Sequence, residues 1–277
     1  MLVISDPTTA MRGPREAQRG RLAGLTTVVT GGSRGIGLGI ADAFAREGAA
    51  VGVVATRAET LESASMQIAA HGQKVHTVVL DVSDRDACFA AAVSIAEALG
   101  PIDVLVNNAA TYIPKRFLDY EIEDVRRTME VNLYGALHLT QATAPGMLDR
   151  GYGRIINVAS TAGKWASFNQ CAYNMSKHGL VGMTRCTALE WAGSGVTVNA
   201  ICPGLVDTEL VDQLFRDQAA LRGVSEDEIR AGIMARVPSR RLTPVEQIGH
   251  LAVYLASPES AHMTGQSLSV DDGMLFV

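Results

Sequence analysis

Tyr173 and Lys177 stand four residues apart in the run Tyr173-Asn174-Met175-Ser176-Lys177. On a helix that spacing sets both side chains on one face, within reach of one another. An ammonium beside a phenol favours the phenolate and would draw its pKa from about 10 towards neutrality. A tyrosine so tuned can serve as general acid or base near physiological pH. Ser160 ends the apolar run Ile155-Ile156-Asn157-Val158-Ala159, which reads as a strand. Open α/β sheets keep their sites at the carboxyl ends of strands, and a hydroxyl there could hydrogen-bond a carbonyl. Alone, this Tyr–Lys spacing also describes ordinary helix surface, with a ring lying along a lysine stem. The weight comes from what precedes it.

Val28-Val29-Thr30-Gly31-Gly32-Ser33-Arg34-Gly35-Ile36-Gly37 leads from a strand into a helix. Gly31 permits the tight turn, Gly35 lets backbone approach a pyrophosphate, and Gly37 lets the helix pack on the strand. The helix start offers unpaired N–H groups and partial positive charge to phosphates. The spacing is GxxxGxG rather than GxGxxG. NAD-binding folds usually place an acid at the end of the second strand to hold the ribose 2′-hydroxyl. Here that end reads Val54-Ala55-Thr56-Arg57, with no acid. Arg57 and Arg34 could both face a 2′-phosphate, which favours NADP(H) over NAD(H). The alternative is two solvated arginines, with Thr56 alone lining the pocket.

The elements that must position these groups alternate regularly. Strands are expected at 26–30, 51–55, 75–80, 104–107, 154–159, 196–201 and 267–270. Helices are expected at 37–48, 60–71, 84–99, 122–148 and 172–191. Most strands are continuous apolar runs, as when helices cover both faces of a sheet. The expected fold is a single-domain α/β Rossmann fold: a doubly wound, mostly parallel seven-stranded sheet with helices on both faces. At 277 residues and 47% hydrophobic, the chain suits one oxidoreductase domain over 21–277. Residues 1–20 are polar, carry Pro7 and Pro14, and read as a flexible arm rather than a secretory signal. A net charge of −5 gives no reason to expect nucleic acid or an anionic membrane as partner. No run approaches the roughly 18–20 apolar residues of a membrane span. Cys88, Cys171, Cys186 and Cys202 lack CxxC spacing and suit reduced thiols in the cytoplasm. No His pair has metal-ligand spacing, so no metal is expected.

Taken together, these motifs resemble the short-chain dehydrogenase/reductase family in its single-domain branch, over about residues 22–277. Thr30–Gly37 (TGGSRGIG) resembles the cofactor loop, with Gly31, Ser33, Arg34, Gly35, Ile36 and Gly37 as implied contacts. Asp81-Val82 resembles the pair that meets the adenine. Asn107-Asn108-Ala109-Ala110 resembles NNAG, which steadies the sheet and touches cofactor through Asn108 and Ala109. Asn132 matches a fourth catalytic residue beside Ser160, Tyr173 and Lys177. Pro203-Gly204, with Val206 and Thr208, resembles the motif at the nicotinamide carboxamide. The resemblance implies that Tyr173 exchanges the substrate proton and Ser160 orients the oxygen. Lys177 would lower the Tyr173 pKa and hold the nicotinamide ribose, and Asn132 would hold a relay water. It also implies a homotetramer formed through the helices of Asn132 and Tyr173.

Ala110 and Asp272 depart from common glycines of the family. The end of the second strand and the C-terminal Asp272–Val277 are similar to β-ketoacyl-carrier-protein reductases. The positions where those enzymes present carrier-docking arginines correspond to Gly151 and Ser194, which argues against an acidic carrier. A substrate lid is expected around 207–240, from two short helices at 207–215 and 226–237. Leu210, Leu214 and Phe215 are candidate pocket walls, with Trp165, Phe168, Gln170 and Cys171 before the tyrosine. The expected activity is a ketone–secondary alcohol interconversion using NADP(H). Alternatives are an NAD-dependent alcohol or sugar dehydrogenase, an epimerase or dehydratase using the same tyrosine, and a non-catalytic NADP-binding sensor.

Overall fold

The protein is represented by a computed structural model that describes residues 20–276, so the expected arm lies almost wholly outside the described residues. β1 (Thr26–Thr30) leads into α1 (Gly35–Arg46), followed by β2 (Ala50–Ala55), α2 (Ala58–Ala69), β3 (Val75–Val79), α3 (Arg85–Leu99) and β4 (Ile102–Asn107). The second half comprises α4 (Ile122–Met129), α5 (Gly135–Asp149), β5 (Gly153–Val158), α6 (Cys171–Glu190) and β6 (Val196–Pro203). Then come α7 (Glu209–Arg222), α8 (Glu226–Met234), α9 (Val245–Ala256) and β7 (Ser267–Val270). The seven strands form one sheet in the order β3-β2-β1-β4-β5-β6-β7, and every pairing is parallel. Strand order reverses between β1 and β4, which opens a crevice at their carboxyl ends.

All residues of β1, β5 and β6 are buried, because helices cover both faces. On one face Ile40, Phe44, Ile248 and Leu255 join α1 and α9 to the sheet. Leu105, Ile95, Leu139 and Met147 fill the other face under α3 and α5. α1 and α9 touch where side chains vanish: a Cβ on Gly39 would stand 2.1 Å from Val245 Cγ1. α9 lies outside the helices expected from the sequence, although Val245, Ile248, Leu251, Ala252 and Leu255 carry helical spacing directly after Pro244. The expected helix at 122–148 is two helices, interrupted by a π-turn at Glu130–Tyr134. Its cause is Asn132, whose amide pairs with a neighbouring loop instead of facing solvent. The first lid helix also runs longer than expected, to Arg222.

A buried amide ladder ties the sheet centre to its helices. Asn107 Nδ2 donates to Asn157 Oδ1 at 2.9 Å and to Thr140 Oγ1 at 3.1 Å. Asn157 Nδ2 donates in turn to Thr184 Oγ1 at 2.9 Å. Near the C-terminus, Asp272 takes the left-handed conformation (φ 55°) that its usual glycine would adopt at less cost. Asp271, the buried residue before it, accepts hydrogen bonds from the backbone of Gly273 and Leu275 and holds that turn in place.

Candidate active site

β5 delivers Ser160 to the crevice, and α6 delivers Tyr173 and Lys177 one turn apart. Ser160 Oγ accepts from Ala162 N at 3.1 Å, so the short turn after β5 sets its rotamer. Ser160 and Tyr173 line the same cavity. Tyr112 meets Tyr173 edge-on, with ring centres 5.6 Å apart. Lys177 is 2% exposed and donates to Val158 O at 2.8 Å. Its ammonium lies 5.6 Å from the centre of the Tyr173 ring.

The electrostatics differ from the sequence expectation. Burial pushes Tyr173 up to about 12, against a smaller downward pull from the Ser160 hydroxyl. Burial pushes Lys177 down to about 8. In this state the lysine does not draw the phenol towards neutrality, because it turns to a backbone carbonyl and each group feels desolvation first. Asn132 Oδ1 accepts from Thr111 N at 2.7 Å, while its Nδ2 donates to Thr111 O at 3.0 Å and Ser176 Oγ at 3.1 Å. Its side chain therefore braces the π-turn against the segment after β4, beside the residue preceding Lys177.

The glycine turn is locked to the end of β4. Thr30 Oγ1 accepts from Asn108 N at 2.9 Å and Ala109 N at 3.0 Å, while Asn108 Nδ2 donates to Thr30 O and Gly31 O. Gly31 has φ 60°, and a Cβ on Gly37 would stand 2.2 Å from Gly31 O. Gly35 has φ 53°, and a Cβ there would meet only Thr208, with Cγ2 at 3.5 Å. No side chain caps α1 and no acid occupies its first turn, so its positive end with Ile36 faces the crevice. This cradle fits a dinucleotide pyrophosphate.

Thr56 and Arg57 are exposed where β2 passes into α2. Thr60 Oγ1 donates to Ser33 Oγ at 3.1 Å, a second-helix residue that sequence reasoning missed. Arg34 points elsewhere, pairing with Glu209 at 2.8 Å. The Asp81 carboxylate accepts from Ser83 N, Ser83 Oγ and Arg127. Burial would raise its pKa, but these bonds outweigh it and hold the group below the usual range. Asp84, not Asp81, caps α3. Val82 is buried against α5, where a Cβ on Gly135 would stand 2.5 Å from it.

Pro203 pairs with Val270 in the last strand pair, and Gly204 N donates to Val270 O at 3.0 Å. A Cβ on Gly204 would stand 2.8 Å from Asp271 Cβ. The segment after Gly204 is pinned at both feet: Val206 bridges Thr243, Thr243 N donates to Leu205 O, and Asp207 N to Thr243 O. Between the feet, α7 and α8 wall a cavity of about 920 Å³ that reaches Ser160 and Tyr173. Leu210, Leu214, Trp165, Phe168 and Gln170 line it as expected, joined by Tyr112, Gln218 and Met274. Two expectations fail. Phe215 is fully buried among Val211, Ala219 and Ile229, where it holds α7 and α8 together. Cys171 lies outside the lining, with its sulfur against Met175.

No helix among the described residues is long and apolar enough to cross a membrane. The short chain dehydrogenase family profile matches residues 25–219. The chain is 37% identical over 257 residues to D-beta-hydroxybutyrate dehydrogenase of Rhizobium meliloti, covering 90% of this chain and 97% of that one. An actinorhodin polyketide ketoreductase variant with NADPH superposes with TM-score 0.87 at 36% identity, covering 90% of this chain and 97% of that one. Xylitol dehydrogenase bound to NAD+ gives TM-score 0.88 at 30% identity, covering 91% of this chain and all of that one. With this sheet order, this glycine turn and these relatives, the chain belongs to the short-chain dehydrogenase family and is an oxidoreductase of that family acting on CH–OH groups.

Proposed function

We propose that this chain interconverts a ketone and a secondary alcohol with NADP(H) as the preferred cofactor. One observation carries the reading: Ser160 and Tyr173 both line one largely apolar cavity walled by α7 and α8. Bound nicotinamide supplies or accepts the hydride. In reduction Ser160 donates a hydrogen bond to the carbonyl oxygen and Tyr173 gives that oxygen its proton. In oxidation Tyr173 takes the proton back. Lys177 has to leave Val158 O for the ribose hydroxyls when the dinucleotide is held, and Asn132 holds the π-turn that supports it. The glycine turn (Gly31, Ser33, Gly35, Ile36, Gly37) holds the phosphates. Asp81, Val82, Asn108 and Ala109 border the adenosine side, and Pro203, Gly204, Val206 and Thr208 the nicotinamide side.

The cofactor preference rests on Arg57, exposed at the start of α2 with Ser33, Thr56 and Thr60 beside it and no acid at the end of β2. Arg34 is committed to Glu209 and takes second place. The single oxidoreductase domain with its lid, the cytoplasmic location and a homotetramer through α4, α5 and α6 are part of the same proposal. Leu189 (79% exposed) and Ile122 (62%) give those helices apolar surface to cover.

A panel of ketones and alcohols with NADPH and NADH, read at the nicotinamide absorbance, tests this. Tyr173→Phe should lower kcat by about 10²–10⁴ while NADPH still binds. Retained turnover of every accepted substrate would remove the catalytic assignment. NADPH binding without turnover of any carbonyl would favour a sensor. Arg57→Glu should reverse the NADPH:NADH preference, by about tenfold or more in kcat/KM. An unchanged ratio would place 2′-phosphate recognition elsewhere.

A further inference from the structure

Two arginines line the substrate cavity, and both rest on aromatic rings. Arg236, just beyond α8, has its guanidinium carbon 4.0 Å from the centre of the Trp165 ring. Arg222, the last residue of α7, lies 5.8 Å from the Phe168 ring centre. Trp165 and Phe168 belong to the stretch between Ser160 and Tyr173, so lid and catalytic loop meet through two cation–π contacts. Among the described residues no carboxylate pairs with either arginine, whereas Arg230 of the same lid pairs with Asp212 at 3.3 Å. One acid also lines the cavity, Glu228, but its carboxylate is committed. It accepts from Ser225 N and Ser225 Oγ, each at 3.0 Å, and closes the capping box of α8.

Stacking occupies the face of a guanidinium and leaves its N–H edge free. That edge grips a carboxylate through two parallel hydrogen bonds. Gln170 adds a further polar group aimed at a ligand. It lines the same cavity three residues before Tyr173, and its amide has no protein partner among the described residues, so both ends of that amide are open to a ligand in the cavity.

We propose that the substrate is an oxo acid, or the matching hydroxy acid. Its carbonyl sits at Ser160 and Tyr173, and its free carboxylate is held by Arg236, with Arg222 as the second cation. The inference rests on the carbonyl–alcohol reading above. Leu210, Leu214 and Ile233 wall the space and suit a hydrocarbon skeleton between the two polar ends. A volume of about 920 Å³ accommodates more than a four-carbon chain. The carboxylate is unchanged in the reaction and serves to fix which carbonyl face is presented.

The test compares kcat/KM for an oxo acid, its methyl ester and its primary amide, on one carbon skeleton, with NADPH saturating. Wild type should favour the acid by about tenfold or more, and added salt should weaken that preference. Arg236→Met keeps apolar cover on Trp165 and removes the charge. It should cut the acid:ester ratio by about tenfold, chiefly through the KM of the acid. Arg216→Met, exposed on α7 outside the cavity lining, should leave that ratio in place. Equal use of acid and ester by wild type, or a ratio unmoved by Arg236→Met, overturns the proposal and leaves the carbonyl reading standing. Absence of turnover with acid, ester, amide and every neutral ketone sinks the carbonyl reading itself.

Discussion

The two walls of the crevice are built on opposite terms. On the glycine-turn side, two short side chains clasp backbone. The Thr30 hydroxyl and the Asn108 amide bond main-chain groups, and Gly31 and Gly37 leave no room for a Cβ, so almost nothing there can change size. On the lid side, contact passes through long side chains such as Arg236 on Trp165 and Arg230 on Phe215, above short helices with few buried residues. On the proposed function, the first wall would meet a ligand part that never varies, a pyrophosphate, and the second the part that differs between substrates, which can be rewritten one side chain at a time without disturbing the sheet.

Gly37→Ala should break the first wall. Its Cβ would stand 2.2 Å from Gly31 O and 2.5 Å from Asn108 Nδ2, and a rigid backbone cannot yield to the first of these. A loss of about 3 kcal/mol or more in unfolding free energy is expected, with loss of dinucleotide binding. Urea unfolding and NADPH fluorescence measure the two. A variant with near-native stability would mean that the lock is looser than its geometry.

Lys177 sharpens the comparison, because here stability and the proposed role oppose one another. Pushed down to about 8 from 10.5, it makes the folded chain release a proton that the unfolded chain keeps. Between those two pH values stability rises with pH, and below about 8 the full cost is present, on the order of 3 kcal/mol. Tyr173 acts the other way above pH 10. Pushed up to about 12, it keeps a proton that the unfolded chain has lost, so stability then falls. Lys177→Met removes the lysine cost and also the hydrogen bond to Val158 O, worth about 1 kcal/mol. A net gain of about 2 kcal/mol is expected at pH 7, shrinking as pH rises towards 10, with activity lost. Urea unfolding of both proteins at pH 7 and pH 10 checks this. Equal stability at pH 7 would show that the buried ammonium costs no more than the hydrogen bond to Val158 O returns.

Most of the backbone-locked wall was legible in the residues. Glycine spacing and apolar runs are local signals, and they place the strands and the turn within a few positions. What escaped depends on packing across the chain. The direction of the Tyr173 shift depends on burial, which no i,i+4 spacing records. The break at Glu130–Tyr134 depends on the Asn132 amide finding Thr111, twenty-one residues away. Phe215 carried the same helical signal as Leu210 and Leu214, yet it packs against α8 because α7 runs seven residues beyond its expected end. Thr60 was visible only as an ordinary helix-start residue until Ser33 came beside it. The α9 helix was legible and overlooked, since Pro244 and the spacing after it are sufficient cues.

The smallest effect tests the lid wall alone. Gly232 lies inside α8, and nothing stands within 4 Å of where its Cβ would be. Alanine there improves helix propensity by up to about 1 kcal/mol without a clash. α8 buries one residue, Ile229, so it should open without unfolding the sheet. Gly232→Ala should therefore slow amide exchange in α8 by up to about fivefold and leave the global unfolding midpoint where it is. If the midpoint rises by the full propensity gain, the lid unfolds together with the core. The contrast between a locked wall and an adjustable one would then describe side chains only, with both walls sharing one cooperative backbone.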